Sequence, residues 1–153
     1  MSTWKIILWG LLLISLAGQS QRKKNNYLLT GGLALLAGAS DGLNQALQFR
    51  YTGFKQVFPK ANDQFWNPAI SWKNKYQNGD PAQGEKFPLS KSVLVFTTDG
   101  YHLTRFISNL STAAAFTVKI CWSEKKKWYV YILEGVGYWI VNRAGFALVY
   151  NRF

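Results

Sequence analysis

The sequence predicts a mainly α fold: a small polytopic membrane bundle of three or four helices with a long ordered loop. Hydrophobic residues make up 48 % of the 153 residues, and aromatic residues alone make up 16 %. Charged residues reach only 16 %, which is below the quarter that is typical of soluble domains. Apolar segments lie beside clusters of basic residues, as in membrane proteins that follow the positive-inside rule. We therefore expect a single membrane domain over residues 1–153.

The positive charge of the chain is concentrated beside these apolar segments. The formal net charge is +11, and the two tight basic clusters are residues 22–24 and 125–127. A nucleic-acid-binding protein would instead carry a basic stripe along one face, so we expect membrane lipids as partners and no nucleic acid. Cys121 is the single cysteine, which excludes an internal disulfide and a cysteine-based metal cluster.

Residues 1–18 form the first apolar segment and are predicted to be an N-terminal anchor or a signal-like helix. The uncharged run 6–18 is short for a membrane span and would also fit a signal peptide. The basic cluster that follows at 22–24 resembles a stop signal, which favours a retained anchor.

The second segment is a predicted helix over residues 27–49. Its first half is rich in small residues that would let another helix approach closely. These are Gly31, Gly32, Ala34, Gly38 and Ala39. Its second half carries polar side chains at i, i+3, i+4 and i+7, which is the spacing of one helical face. These are Asp41, Asn44, Gln45 and Gln48.

Residues 50–91 are predicted to form an ordered, largely irregular extracytoplasmic loop. All four prolines lie in this range, but so do many aromatic residues, which a disordered linker would not carry. Trp66, Trp72 and Lys75 are candidates for an interfacial cap that binds lipid headgroups, because amphipathic rings and long amines favour the membrane–water interface.

Two further helices are predicted, over residues 92–119 and 128–150. In the first, Asp99, His102 and Arg105 share one face because they recur every three residues. The second contains Glu134, which we expect to pair with Lys119 or with the cluster 125–127. It also contains Asn142 and Arg143, and its 23 residues could cross a hydrocarbon core of about 30 Å.

The basic clusters predict that the loop lies outside, and the expected location is a bacterial inner membrane. With this topology, Asp41, Asp99 and Arg143 lie roughly 10–14 Å from the outer helix ends at about 1.5 Å per residue, and His102 lies one turn deeper, so that all four fall in one layer. Ionisable groups at such depth cost at least about 2.5–3.5 kcal/mol each unless they pair or line a wet cavity. We therefore expect a functional site here, with a mutually satisfied polar network as the alternative.

Two carboxylates and an imidazole suit a divalent metal ion or acid–base catalysis. Asp41, Asp99 and His102 are the candidate catalytic residues, and the same three would hold one metal ion. Arg105, Arg143 and Asn44, with the loop residues Trp66, Trp72 and Lys75, are the candidate substrate-binding residues. The arginines could equally serve only to neutralise the two aspartates.

The predicted function is a membrane hydrolase or transferase that acts on a polar or phosphorylated group at the membrane surface. A first alternative is a non-catalytic accessory or assembly subunit that docks a protein partner through its aromatic loop. A second alternative is a soluble α+β domain with strands at 92–96 and 128–135, which the mean hydropathy of −0.08 leaves open. The chain contains no P-loop or H-E-x-x-H motif.

Overall fold

The computed structural model describes residues 26–122 and 124–153, and three helices of 23 residues each dominate this part of the chain. In chain order the helices are α1 (Tyr27–Phe49), α2 (Tyr51–Val57), α3 (Asp63–Trp66), α4 (Pro68–Ser71), α5 (Gly100–Trp122) and α6 (Trp128–Tyr150). Short 3-10 turns follow α4 at Trp72–Lys75, Gln77–Gly79 and Pro81–Gln83, and another precedes α5 at Val95–Thr97. The predicted mainly α fold is confirmed.

The α+β alternative is wrong for the described residues. Residues 92–96 form turns, and residues 128–135 belong to α6. Extended pairing in this part of the chain is limited to one isolated bridge between Tyr76 and Glu85.

Helix α1 lies at the centre of the bundle. It packs along both α5 and α6, whereas α5 and α6 scarcely touch each other. The buried face of α1 includes Ala34, Ala37, Ala46 and Leu47. Because most of these side chains are small, the two neighbouring helices can approach the α1 backbone closely.

The closest approach joins α1 to α6. A Cβ atom at Gly38 would lie 1.9 Å from the backbone oxygen of Asn142, and one at Gly42 would lie 2.6 Å from that of Phe146. Gly38 and Gly42 form a G-x-x-x-G pair, the spacing that lets two helices meet backbone to backbone. From the opposite side, Gly145 of α6 meets the backbone of α1 in the same way. The predicted role of small residues is confirmed at Gly38, while Gly31 and Gly32 face open space.

The loop between α1 and α5 is ordered around an aromatic cluster. The cluster consists of Tyr51, Phe54, Phe58, Phe65, Trp66 and Phe153. Phe54 lies at its centre, almost fully buried, and contacts four other rings with centroid separations of 5.2–5.8 Å. The cluster thus ties the loop to the C-terminus, at the end of the bundle where α1 ends and α5 begins.

The expected bounds 27–49 and 128–150 coincide with those of α1 and α6, but α5 differs from the predicted helix 92–119. It begins at Gly100 and ends at Trp122. The late start has a local cause: the carboxylate of Asp99 accepts a hydrogen bond from the backbone N–H of His102 and so caps the first turn. The predicted N-terminal segment 1–18 lies outside the described residues.

Among the described residues, no helix combines the length and the mean hydropathy expected of a segment that crosses a bilayer.

Candidate functional site at the start of α5

Asp99 and His102 form a hydrogen-bonded pair at the N-terminus of α5. The imidazole Nδ1 lies 2.9 Å and 2.8 Å from the two carboxylate oxygens of Asp99. Thr98 donates its hydroxyl to the same carboxylate at 3.1 Å. The side chain of Asp99 is only 1 % exposed, whereas that of His102 is 26 % exposed. The buried carboxylate therefore fixes an imidazole that solvent can still reach.

The electrostatics of this pair favour an ionised Asp99. Burial alone would raise the pKa of Asp99, but the hydrogen bonds from His102 and Thr98 outweigh it and hold the pKa below its ordinary value. An ionised carboxylate can only accept hydrogen bonds, so Nδ1 of His102 must carry the proton. In the neutral imidazole, Nε2 is then left as the basic atom, and no described residue donates a hydrogen bond to it.

A small polar pocket adjoins Thr98, the residue before Asp99. Its volume is about 320 Å³, and its polar lining includes Asn62, Gln64, Asn74 and Lys86. Asn74 fixes this edge by donating to the backbone oxygen of Thr98 at 3.0 Å. An amide-rich pocket with one lysine is suited to a small polar or anionic group.

Asn44 connects α1 to the same end of α5. Its side chain is fully buried and donates to the backbone oxygen of Tyr101 at 2.7 Å and to the Thr104 hydroxyl at 3.0 Å. Its own carbonyl oxygen has no partner among the described residues. Asn44, predicted as a substrate ligand, is thus held in a contact between two helices.

The other charged residues of the predicted layer do not join the pair. Asp41 and Arg105 make no hydrogen bond or ion pair in the described part of the chain, and Arg143 lies beside the Phe146 ring, 5.8 Å from its centroid. The expected depth of Asp99 is wrong because α5 begins at Gly100, which places Asp99 at a helix end and not two turns inside. Within the described ranges, no three His, Cys, Asp or Glu side chains are grouped as metal ligands would be.

The predicted headgroup-binding residues of the loop divide into two groups. Trp66 belongs to the aromatic cluster and covers Gly100, where a Cβ atom would lie 2.4 Å from its ring. Trp72 is 40 % exposed and packs edge-on against Tyr76. Lys75 places its amine 5.6 Å from the centroid of the Tyr76 ring. Trp72 and Lys75 therefore border one basic, aromatic surface, and Trp66 has a packing role.

At the opposite end of the bundle, Glu134 accepts from three side chains. Its carboxylate forms ion pairs with Lys119, at 3.3 Å, and with Lys126. It also accepts a hydrogen bond from the Tyr27 hydroxyl. The expected pairing of Glu134 with these lysines is confirmed. Hydrogen bonds to Glu134 and Tyr27 raise the pKa of Lys126, so this ion pair persists over the whole physiological range of pH.

Between α5 and α6 lies a groove of about 840 Å³ that the sequence did not reveal. Small residues of α1, Ala34 and Ala37, form its floor, and Phe116, Ile120 and Trp139 are among the large apolar side chains of its walls. The groove exists because α5 and α6 both pack on α1 without closing on each other. The helical periodicity of each segment predicts which face is apolar, but it does not predict such a gap between two helices.

No family model, no curated protein and no solved structure matches this chain.

Proposed function

We propose that this protein is a membrane-associated acid–base hydrolase or transferase in which His102 is the general base and Asp99 positions it. The observation that carries the proposal is the buried Asp99 carboxylate bound to Nδ1 of a partly exposed imidazole. A carboxylate held in this way fixes both the ring orientation and the tautomer, which is the arrangement a histidine base requires.

The proposed reaction uses water and a phosphate or carboxylate ester. Nε2 of His102 removes a proton from the water as its oxygen bonds to phosphorus or to the acyl carbon. The bond from that atom to the ester oxygen then breaks, and the imidazolium returns the proton to the leaving group. Asp99 stays ionised and stabilises the imidazolium between the two transfers. The pocket beside Thr98, with Lys86, would hold the polar part of the substrate.

The membrane association proposed here is supported by the exterior of the three long helices. Leu28, Ile120, Trp128, Leu133 and Leu148 expose between 66 % and 94 % of their surface. A protein surrounded by water rarely exposes so many large apolar side chains on neighbouring helices. Contact with lipid tails would keep these side chains out of water. The loop and the start of α5 would then face the aqueous side.

A screen of ester-bearing amphiphiles with the full chain in mild detergent tests the catalytic proposal. We expect His102→Gln to lower turnover by about 10²–10⁴-fold, the usual contribution of a general base. Asn109→Gln is the matched control, because Asn109 is an exposed residue two turns further along α5. Equal turnover by the wild type and His102→Gln would refute the role of His102.

The second candidate function, an accessory subunit of a membrane complex, is favoured by the surface that Trp72 and Lys75 border. Cations lie near the faces of its rings: Lys73 lies 5.6 Å from the Trp72 centroid and Lys91 lies 6.0 Å from that of Tyr76. Exposed tryptophan and tyrosine are typical anchors of protein interfaces. If the protein lacks turnover but co-purifies with a stoichiometric partner that Trp72→Ala releases, this function replaces the catalytic one.

A further inference from the structure

The basic, aromatic surface of the loop combines two rings with three lysines. Its residues are Trp72, Lys73, Lys75, Tyr76 and Lys91. The amines of Lys75 and Lys91 lie 5.6 Å and 6.0 Å from the centroid of the Tyr76 ring. None of the three lysines forms an ion pair within the described residues. Their positive charge is therefore available to an anionic partner.

The turn formed by residues 89–94 adjoins this surface and contributes Lys91 to it. Ser90 is fully buried and donates its hydroxyl to the backbone oxygen of Lys75 at 2.8 Å. The backbone N–H of Lys86, just before the turn, donates to the same oxygen at 3.0 Å. The turn is therefore fixed beside the lysines and the rings.

The same turn presents large apolar side chains to its surroundings. Val93 is 69 % exposed, Leu89 is 44 % exposed and Leu94 is 36 % exposed. Exposed apolar side chains that cluster and are bordered by polar groups mark sites of interaction with another protein or with a membrane. The turn and the three lysines together therefore suit a partner that is both anionic and apolar.

Leu89 has a backbone conformation that leucine rarely adopts, with a φ angle of 68°. Its N–H donates to the carboxylate of Glu85 at 3.1 Å. Its carbonyl oxygen accepts from the N–H groups of Ser92 at 3.1 Å and Leu94 at 3.0 Å. Strain of this kind persists only where the surrounding structure fixes it, and it is concentrated at functional sites. The hydrogen bonds thus hold the turn in a defined shape that leaves Leu89 and Val93 exposed.

We propose that the basic, aromatic surface and the turn 89–94 dock together on a membrane surface that contains anionic lipids. Leu89 and Val93 enter the boundary between headgroups and acyl chains, where apolar side chains of interfacial segments are buried. The Trp72 ring lies at the headgroup level, and the three lysines bind lipid phosphates. This docking rests on the membrane association proposed above and adds to it a preference for anionic lipid.

A lipid surface fits these residues better than the protein partner of the second candidate function. The cations of the surface are all lysines, and protein interfaces are enriched in arginine and depleted in lysine. A lysine amine is a point charge on a flexible stem, which suits mobile headgroup phosphates that offer no fixed geometry. Its stem can also cover apolar surface while the amine stays hydrated.

A fluorescent probe at Val93 tests the docking in the full-length chain with Cys121→Ser as background. Val93→Cys is labelled with an environment-sensitive dye, and the chain is reconstituted into vesicles of phosphatidylcholine alone or of equal parts phosphatidylcholine and phosphatidylglycerol. Iodide in the water then measures the ratio of shielded to exposed probe. Ala82→Cys is the matched control, because Ala82 is exposed in the turn Pro81–Gln83, which carries no lysine.

We expect the ratio of shielded to exposed probe at Val93 to be at least about tenfold higher in the anionic vesicles, because each lysine near the surface adds attraction to anionic lipid. The probe at Ala82 should give the same ratio in both kinds of vesicle. A Val93 probe as exposed as the Ala82 probe in both would overturn the proposal, and a surface reserved for a protein partner would give this result.

Lysine substitutions test the electrostatic part of the docking. Lys91→Gln should lower the ratio of shielded to exposed Val93 probe about fivefold in anionic vesicles, the usual effect of one lysine near such a surface. Lys60→Gln is the control, since it removes one exposed lysine of the same loop that lies outside the basic, aromatic surface. Equal effects of the two substitutions, or no effect of either, would overturn the role of the lysines in docking.

Flotation of the unlabelled chain with each kind of vesicle separates this proposal from the one it rests on. A chain that floats with neither lipid refutes the membrane association of the whole molecule. A chain that floats with both, while the Val93 probe stays exposed, refutes only the docking of this surface. Neither measurement depends on turnover, so a failure of the role proposed for His102 would be seen in the ester screen and not here.

Discussion

Asn44 and Asp99 are polar side chains that the fold buries almost completely, and each joins two parts of the chain. Asn44 links α1 to the first turn of α5, and Asp99 links the loop to the same turn. A buried polar group that loses its partner costs about 1–3 kcal/mol. Because both residues act on one helical turn, they fix the position of His102.

Replacing Asn44 by alanine should lower the free energy of unfolding by about 2–3 kcal/mol, because the backbone oxygen of Tyr101 loses its donor and a small cavity forms. Gln48→Ala is the control, since Gln48 is exposed one turn further along α1. Denaturant unfolding of the detergent-purified protein measures both. An equal effect of the two substitutions would contradict the structural role of Asn44.

Lowering the pH should reduce the free energy of unfolding because the Asp99 carboxylate becomes protonated. Its pKa in the folded protein lies below the ordinary value of 3.8, so its contribution to stability is present above that value and is lost as the pH falls through the folded pKa. We expect the difference in unfolding free energy between the wild type and Asp99→Asn to shrink as the pH falls below 3.8 and on through the folded pKa. A difference that stays constant over this range would show that Asp99 does not gain its stability from ionisation.

The crossing of α1 and α6 depends on the absence of side chains. Gly38, Gly42 and Gly145 each bring the backbone of one helix against that of the other. The amide of Asn142 adds one hydrogen bond, to the backbone oxygen of Ala34 at 3.2 Å. A single methyl group inserted between the two helices would therefore push them apart.

Two glycine-to-alanine substitutions in α1 should have opposite effects. Gly38→Ala would place a methyl group 1.9 Å from the Asn142 oxygen and should destabilise the protein by at least about 1–3 kcal/mol. Gly32→Ala meets open space and should stabilise it by up to about 1 kcal/mol through helix propensity. Thermal unfolding measures both, and a neutral Gly38→Ala would mean that the helices cross less closely.

The sequence predicts the helices better than it predicts the site. The apolar runs 27–49 and 128–150 have the length of the observed helices, and the small residue Gly38 marks a true contact. The predicted start of α5 is wrong because the apolar run 93–96 suggests that the helix begins earlier. In the structure the Asp99 carboxylate accepts a hydrogen bond from the backbone N–H of His102 and caps the helix, which begins at Gly100. Depth along a helix was then counted from the wrong residue, so Asp41 and Arg143 were grouped with a pair that they do not touch.

Taken as a whole, the molecule has a loop end organised by aromatic rings and a basic end organised by Glu134. Arg50 connects the loop end to the C-terminus, since its guanidinium lies 4.2 Å from the centroid of the Tyr150 ring. Lys55 and Asp63 pair at 2.6 Å and hold the loop's short helices together. The long helices between these ends expose mainly apolar side chains, as an apolar surrounding would require.

Alkaline carbonate extraction of cell membranes tests the proposed membrane association of the whole molecule. We expect the protein to stay in the pellet, because the apolar exterior of three helices would otherwise face water. A peripheral protein released by the same treatment serves as the control. Release of this chain into the supernatant would exclude embedding of its helices in lipid.

The central position of α1 also has a consequence for the time course of synthesis. Asn44 meets Tyr101 only after 57 further residues have been made, and Ala34 meets Asn142 only after 108. At about 5–20 residues per second, α1 waits roughly 3–11 s for its first neighbour and about 5–22 s for its second. During that interval the buried asparagine and the glycine face of α1 lack their helical partners, and the second partner exists only once α6 has been synthesised.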